Sequence, residues 1–436
     1  MQTTVAPTPH VRWWGLTITI ASLLAIGFAT MLPERGQHPG QHFCLVCGSF
    51  GGVDALLNII LFVPLGIGLA LSGFAGKRAL LAAFGVSVLI ETAQLFFIPG
   101  RDATIGDVLT NTVGGGCGFA LARYAWTWLR PSQRIASILT IGWAAAWLAI
   151  QSLANYGFAP SLPESPYYGQ LARAIGNFAV FEGSVIASGV GDVAIPNSIF
   201  PDSHALRLGL INGAPVEATV TAAQPTEKIA PIVRIADSAQ REIALLAQQG
   251  TTLVFAVRSG AAVLRLRRPL FALPDAFPAE AGSASHSRSD TLSLSGGYTS
   301  ESVAMAAQTR STIKRTRIPL AASRSWALVL PFDWLIQGTR GESILSLMWT
   351  AVLLIPFGYW ATYINWNRSG ERRGFAALTP PFLAMLPLFA VGFVLVPHLF
   401  HLPNASPAEL FWAFLGVLIG SSLAFVARVS KAARPS

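Results

Sequence analysis

Uncharged apolar runs of roughly 20 residues recur along this chain, and a run of that length is what a helix needs to cross a bilayer. In 436 residues they fall at 13–32, 54–71, 79–98, 105–128 and 135–153. After a long interval come 343–364, 378–396 and 408–426. Only 12% of the residues are charged and 52% are hydrophobic, whereas a soluble globular domain carries about 25% charge. An ordinary cytosolic enzyme is excluded, and so is intrinsic disorder, which needs low hydrophobicity. The expected fold class is an α-helical polytopic membrane protein of about eight transmembrane helices, with an inserted all-β sandwich outside the membrane.

A net charge of +9 invites a nucleic-acid reading until the basic residues are placed. With the N-terminus inside, the inner segments carry Arg12, Lys77, Arg78, Arg123, Arg130, Arg134, Arg368, Arg372, Arg373, Arg428, Lys431 and Arg434, against one acid, Glu371. The short outer loops hold only Arg35 and Arg101. Lysine and arginine stay on the cytoplasmic side during insertion. The expectation is a multi-pass protein of a bacterial cytoplasmic (inner) membrane, N-in and C-in, with the central stretch extracytoplasmic. The lipid bilayer is then its first partner, and no nucleic acid is implied. The first run is longer than a secretory signal core and reads as a signal anchor.

Residues 160–326 change to short β-type runs broken by Gly, Pro, Asn and Ser, the pattern of a β-sandwich. Expected strands are 178–185, 206–211, 216–221, 231–235, 242–246, 252–257 and 262–267, the last two forming a hairpin across Ser259-Gly260. The run from Arg241 to Arg267 resembles concanavalin-like and laminin-G-like sandwiches, many of which bind glycans. Residues 279–325, rich in Ser, Thr, Ala and Gly, read as a long flexible insertion with room for one strand. Residues 327–342 read as an interfacial segment ahead of a three-helix block, 343–436, and the five-helix membrane domain is 1–154.

Polar residues inside the apolar runs are the chemical signal. Asp54 and Asn58, Glu91 and Gln94, and Asp107 and Asn111 each sit about one helical turn apart, so each pair shares a helix face. With N-in topology all three pairs fall in the outer leaflet, Glu91 roughly 10 Å below its helix end. A carboxylate at such depth costs about 2.5–3.5 kcal/mol and should face a polar interior with a partner. Arg101, in the short loop between the third and fourth runs, is the basic residue near enough in sequence to neutralise Glu91 or Asp107. The structural alternative is an Arg–carboxylate network that joins three helices.

Asn58-x3-Phe62-x-Pro64-x-Gly66, then Glu91-x2-Gln94, Arg101, and Asp107-x3-Asn111-x2-Gly114, resemble the VanZ-like membrane family over about residues 54–125. The family is named for a glycopeptide antibiotic-resistance accessory protein, and its biochemical activity is not established. The resemblance implies that Glu91, Gln94, Arg101, Asp107 and Asn111 are the family's polar residues here.

The second membrane block looks like a degenerate copy of the first. Leu61–Gly66 resembles Leu354–Gly358 with one residue fewer, and 104–109 with Gly114 and Gly118 aligns with 406–411, Gly416 and Gly420. Asp107 then matches Glu409 and Asn111 falls on Ala413. The expected duplication is a three-helix unit whose first copy kept the polar set and whose second became scaffold.

Cys44 and Cys47, with His38 and His42 just before, lie in the first outer loop. On an oxidising side this pair reads as a disulfide or a redox-active pair. A zinc site from the same four residues would be crowded, so no metal is assigned. Cys117 reads as a small packing residue. No phosphate loop, dinucleotide fingerprint or Ser-His-Asp order appears, so no cofactor is assigned. Two functions remain. One is a cell-envelope protein that binds or modifies a lipid-linked or cell-wall glycan substrate. In it Glu91, Asp107 and Arg101 are catalytic candidates, and Gln94, Asn111, Asn58 and Asp54 contact the substrate. The other is a non-enzymatic scaffold or sensor with a glycan-binding periplasmic domain.

Overall fold

A computed structural model describes residues 9–32, 48–98, 103–176, 178–221, 223–278, 291–364 and 379–432. Arg101, Cys44, Cys47, His38 and His42 lie outside the described residues. Two compact units divide the chain, Met1–Leu139 and Thr140–Ser436.

The first unit is a helical bundle: α1 (Pro9–Met31), α2 (Gly51–Leu71), α3 (Gly76–Phe97) and α4 (Ile105–Arg123), followed by a short α5 (Ala125–Leu129). Its core is Ile26, Phe62, Leu65, Leu69, Ala79 and Ile90. The expected run 105–128 is interrupted at Tyr124, which leaves the helical region. Asp107, Thr110, Asn111, Thr112 and five glycines make α4 the least apolar of these helices. It is therefore absent from the seven helices that are long and apolar enough to cross a membrane, among the described residues.

The second unit starts within α6 (Gln133–Phe158) and holds everything after it. Strands β1 (Tyr167–Leu171), β2 (Val185–Val190) and β3 (Val193–Ala194) precede helix α7 (Ser203–Ile211). Then come β4 (Val216–Thr221), β5 (Ala230–Asp237), β6 (Glu242–Gln249), β7 (Thr252–Val257), the single turn α8 (Gly260–Val263) and β8 (Leu270–Leu273). Strands β9 (Thr291–Tyr298), β10 (Ser302–Gln308) and β11 (Ile313–Pro319), a 3₁₀ segment (Ala322–Val329) and β12 (Leu335–Ile336) complete the inserted part. Helices α9 (Arg340–Ile364), α10 (Thr379–Ala390), a π turn (Val391–Leu395), α11 (Val396–Leu399) and α12 (Pro407–Ala432) end the chain.

The strands form two six-stranded sheets, ordered β1-β5-β6-β7-β8-β12 and β11-β10-β9-β4-β2-β3. Their inner faces share one core, in which the rings of Phe271 and Tyr298 meet edge to face at 5.9 Å. Three strand expectations fail. Residues 206–211 are helical because Asp202 caps Ala205 N and Leu206 and Leu210 recur at helical spacing. Residues 262–267 and most of 178–185 are not strands either. Three strands, β9 to β11, occupy the part of the Ser-rich stretch that was expected to be a flexible insertion. There Leu292, Leu294, Val303, Met305 and Ala307 point into the core, and small residues alternate outward. Likewise the expected interfacial segment is partly interior: Ala327, Leu328 and Ile336 are buried in the sandwich core.

Helix α6, expected with the first block, packs on the last helices. Trp143 Nε1 donates to the Leu353 carbonyl at 2.8 Å, and Trp147 joins Leu354, Phe357, Met385 and Phe393 in a second bundle core. The sandwich is fused to the same bundle: Phe158 and Leu402 belong to the sandwich core, and the Tyr298 hydroxyl donates to the Phe158 carbonyl.

One packing device occurs in both bundles. Between α2 and α4, a Cβ on Gly114 would fall on the Ile59 carbonyl oxygen, on Gly118 on that of Val63, and on Gly66 on that of Gly115. Between α9 and α12, Gly416 meets Ala351, Gly420 meets Ile355 and Gly358 meets Val417 in the same way. The correspondence runs at one constant shift along each helix, so Pro64 matches Pro356 and no residue is missing from Leu353–Gly358. Small residues let helix backbones touch in lipid, where the hydrophobic effect supplies no attraction between helices.

Asp237 anchors the β5–β6 turn. It is fully buried, accepting from Ala239 N at 2.9 Å, Arg241 N at 2.8 Å and Arg241 Nε at 2.7 Å. Burial by itself raises its pKa, but the Arg241 hydrogen bonds and charge, with the Ala239 amide, hold it below the usual aspartate value. A depressed carboxylate stabilises the fold above its unfolded pKa of about 3.9, and that stability drains as pH falls through the folded value. Thermal unfolding of the full chain is therefore expected to drop below about pH 4, and Asp237→Asn should flatten that dependence while lowering stability at neutral pH. Gly118→Val and Gly420→Val should each cost more than the roughly 1–3 kcal/mol of ordinary overpacking, read as lost monodisperse protein in detergent. Gly85→Ala, with nothing within 4 Å of the added Cβ, should be neutral or stabilise by up to about 1 kcal/mol.

Candidate functional site

The first bundle gathers five of the sequence-selected residues. Backbone contact between α2 and α4 brings Asn58 beside Asp107, and Asn58 Nδ2 donates to Asp107 Oδ1 at 2.7 Å. One turn deeper on α4, Asn111 Nδ2 donates to Ser87 Oγ of α3 at 2.9 Å. One turn along α3 from Ser87, Glu91 Oε2 accepts from the Thr104 backbone amide at 2.9 Å. Gln94 Nε2 donates to the Thr30 carbonyl of α1 at 3.0 Å. Asp54 lies exposed in the first turn of α2, one turn before Asn58.

The chemistry of helix ends explains the pattern. The first amides of α4 and the last carbonyls of α1 have no partner within their own helices. Thr104 caps α4 by accepting from Asp107 N at 3.0 Å, and Glu91 satisfies Thr104's own amide. Gln94 does the converse service for the C-terminal end of α1. Two carboxylates, Glu91 and Asp107, therefore stand at the N-terminal end of α4.

Burial separates the members. Glu91 is 8% exposed, Gln94 6% and Asn111 2%, while Asp107 and Asn58 are half-buried. The cluster is thus closed around Glu91 and Asn111 and more open towards Asp107. The Asn111 Oδ1 atom is buried without a hydrogen-bond donor, which is uncommon for a polar atom in a folded protein. A hydroxyl or amine from a bound molecule would supply the donor.

Three members escaped the sequence reading. Thr104, three residues before Asp107, was legible as a capping signature. Ser87 shares the Glu91 face, one turn away. Thr30 contributes only its carbonyl, for which no side-chain signal exists. Cys117, expected to pack among the glycines, is a free thiol exposed on the α4 surface.

The second bundle places a different polar set at the corresponding end. Glu409, at the Asp107 position, folds back on its own helix: its Oε2 accepts from Ser406 N at 2.7 Å and Ser406 Oγ at 2.9 Å. The longer side chain thus does within α12 what Glu91 does across helices for α4. Ala413 fills the Asn111 position with full burial. Glu342 accepts from Gly338 N at 2.8 Å, Trp334 Nε1 at 3.0 Å and Thr339 N at 3.2 Å, and Arg324 lies 3.8 Å away. Burial pushes the Arg324 guanidinium down from its usual value, and the charges of Glu342 and Glu409 oppose that.

Among the described residues no group of three or more His, Cys, Asp or Glu side chains is placed to hold a metal ion. No curated protein and no solved structure is significantly similar to the chain. Residues 12–129, which carry the described polar cluster, match the model of the VanZ/LLP1 family.

Proposed function

We propose that the VanZ-like bundle binds, and through its carboxylates modifies, the polar headgroup of a lipid-linked or glycan substrate at the outer face of a bacterial cytoplasmic membrane. The observation that carries this reading is the buried, donor-less Asn111 Oδ1 set one turn from Asp107 and across from the Glu91-bearing face of α3. A purely structural network would be expected to satisfy its own buried atoms. In this reading Asn111 and Gln94 orient the substrate, Glu91 and Asp107 exchange protons with it, and Asn58 and Asp54 line the approach. Arg101 holds an anionic group. The second membrane block, in the same reading, is a duplicated scaffold copy, since Ala413 and Glu409 stand where Asn111 and Asp107 stand.

One observation favours a non-enzymatic scaffold or sensor instead. Glu91 and Gln94 spend hydrogen bonds on the ends of α4 and α1, as structural clamps do.

Two substitutions separate these readings. Glu91→Gln keeps an acceptor for the Thr104 amide and removes the charge, so folded protein should be unchanged. Glu91→Ala removes the acceptor and should cost about 1–3 kcal/mol of stability. Asn111→Ala has a packing precedent in Ala413 and should also fold. The measurement is a binding screen of lipid-linked intermediates and glycans on the purified full chain. A loss of about tenfold or more in Glu91→Gln and Asn111→Ala, with normal thermal stability, supports substrate binding. Unchanged binding and envelope phenotype in both, with Glu91→Ala alone degraded, would leave the scaffold.

A further inference from the structure

The sandwich carries a groove that the helical cluster does not use. Its volume is about 490 Å³, and it runs over the outer face of β9, β10 and β11. Sheet register builds it. Ser295 pairs with Ala306 and Gly297 with Ala304, and Ala306 and Ala304 pair in turn with Arg315 and Arg317. The floor is thus Gly297, Ala304 and Ala306, side chains too small to fill the space above the sheet. One wall is Arg315 and Arg317, and Ser295 adds a hydroxyl. The lining has no carboxylate and no aromatic ring. Glu301 reaches Arg317 at 3.9 Å, but both side chains are about 70% exposed, and such a pair contributes little. Arg317 Nε also donates to Ser302 Oγ at 2.8 Å, which fixes its direction.

The position of the groove says where an anionic occupant would come from. Its Thr299–Arg317 end adjoins the ends of two membrane spans. Tyr298, next to Thr299, donates its hydroxyl to the carbonyl of Phe158, the last residue of α6. Ile318, next to Arg317, lies so close to Gly338 that a Cβ there would stand 3.2 Å from its Cγ1. Gly338 precedes the first turn of α9. Arg317 therefore lies beside the strand residue that meets the segment before α9, and Arg315 is two residues, roughly 7 Å, farther along β11.

We propose that this groove binds the phosphate headgroup of an anionic membrane lipid, with Arg317 and Arg315 on the phosphate and the Ser295 hydroxyl on the rest of the headgroup. Basic side chains on an exposed edge strand also discourage strand pairing. Edge protection, however, requires no cleared floor of Gly and Ala beside them. The site lies wholly within the second unit and does not depend on the reading of the VanZ-like cluster.

The test uses the full chain in nanodiscs of phosphatidylcholine, alone or doped with phosphatidylglycerol, with a photoreactive phenylalanine analogue replacing Ala306. Irradiation should attach phosphatidylglycerol, and the content giving half-maximal attachment should rise roughly 30-fold in Arg315→Gln/Arg317→Gln. That factor follows from about 1 kcal/mol per basic residue near an anionic surface. Glu91→Gln should leave the attachment unchanged, so failure here and failure of the helical site are told apart. An unchanged thermal transition in the double variant confirms that the sheet is intact. Equal attachment of phosphatidylcholine, attachment indifferent to the two arginines, or no lipid adduct would each overturn the proposal, leaving edge protection alone.

Discussion

Backbone contact between helices at glycine is the constraint on which the membrane architecture rests. Lipid offers no hydrophobic gain for bringing two apolar helices together, so association has to come from close dispersion contact and the few polar bonds that proximity allows. Gly66, Gly114 and Gly118 remove the side chains that would hold α2 and α4 apart. Only at that separation can the short Asn58 side chain reach Asp107. The polar cluster is in this sense downstream of the glycines, and its geometry is set by backbone packing. The second bundle repeats the contact with Gly358, Gly416 and Gly420 while omitting the Asn58 and Asn111 side chains. The packing device and the polar set are therefore separable.

The sequence was most informative where one physical requirement dominates. Spans of apolar residues must be helices, because nothing else satisfies backbone groups in lipid, and the spans at 13–32, 54–71, 79–98 and 343–364 are helices. The polar residues on α2, α3 and α4 share one cluster because helical spacing already put each pair on one face. Their roles at helix ends were hidden, since Glu91 and Gln94 bond to backbone atoms of other helices. Periodicity failed in the sandwich. Leu206–Ile211 has the composition of a strand, yet the Asp202 cap makes it helical. The strands at 291–319 were masked by Ser, Gly and Ala on their outward positions, which lower hydropathy without disturbing the alternation inside. The placement of α6 with the last helices rests on Trp143 and Trp147, and neither residue names its partner.

Charge is handled differently in the two bundles. In the first, buried acceptors and donors are shared among four helices, so that displacement of any one of them unpairs a group on another. In the second, Glu409 serves its own helix and Glu342 is ringed by amides of the segment just before α9. The first arrangement is interdependent and the second is local. Buried polar groups that depend on several elements fix the mutual position of those elements strongly, and they leave an orphan when one partner is absent.

The union of sandwich and second bundle has a consequence for biosynthesis. The sandwich core includes Phe158, from before the strands, and Leu402, from beyond α9 and α10, with Phe400 packed against it. Ribosomes deliver these residues far apart in time, and the strands emerge with one wall of their interior not yet made. Closure of that interior must wait until the hairpin preceding α12 has been inserted, so maturation is governed by long-range contacts formed late. An intermediate with two sheets and an open seam is the species a chaperone on that side of the membrane would meet.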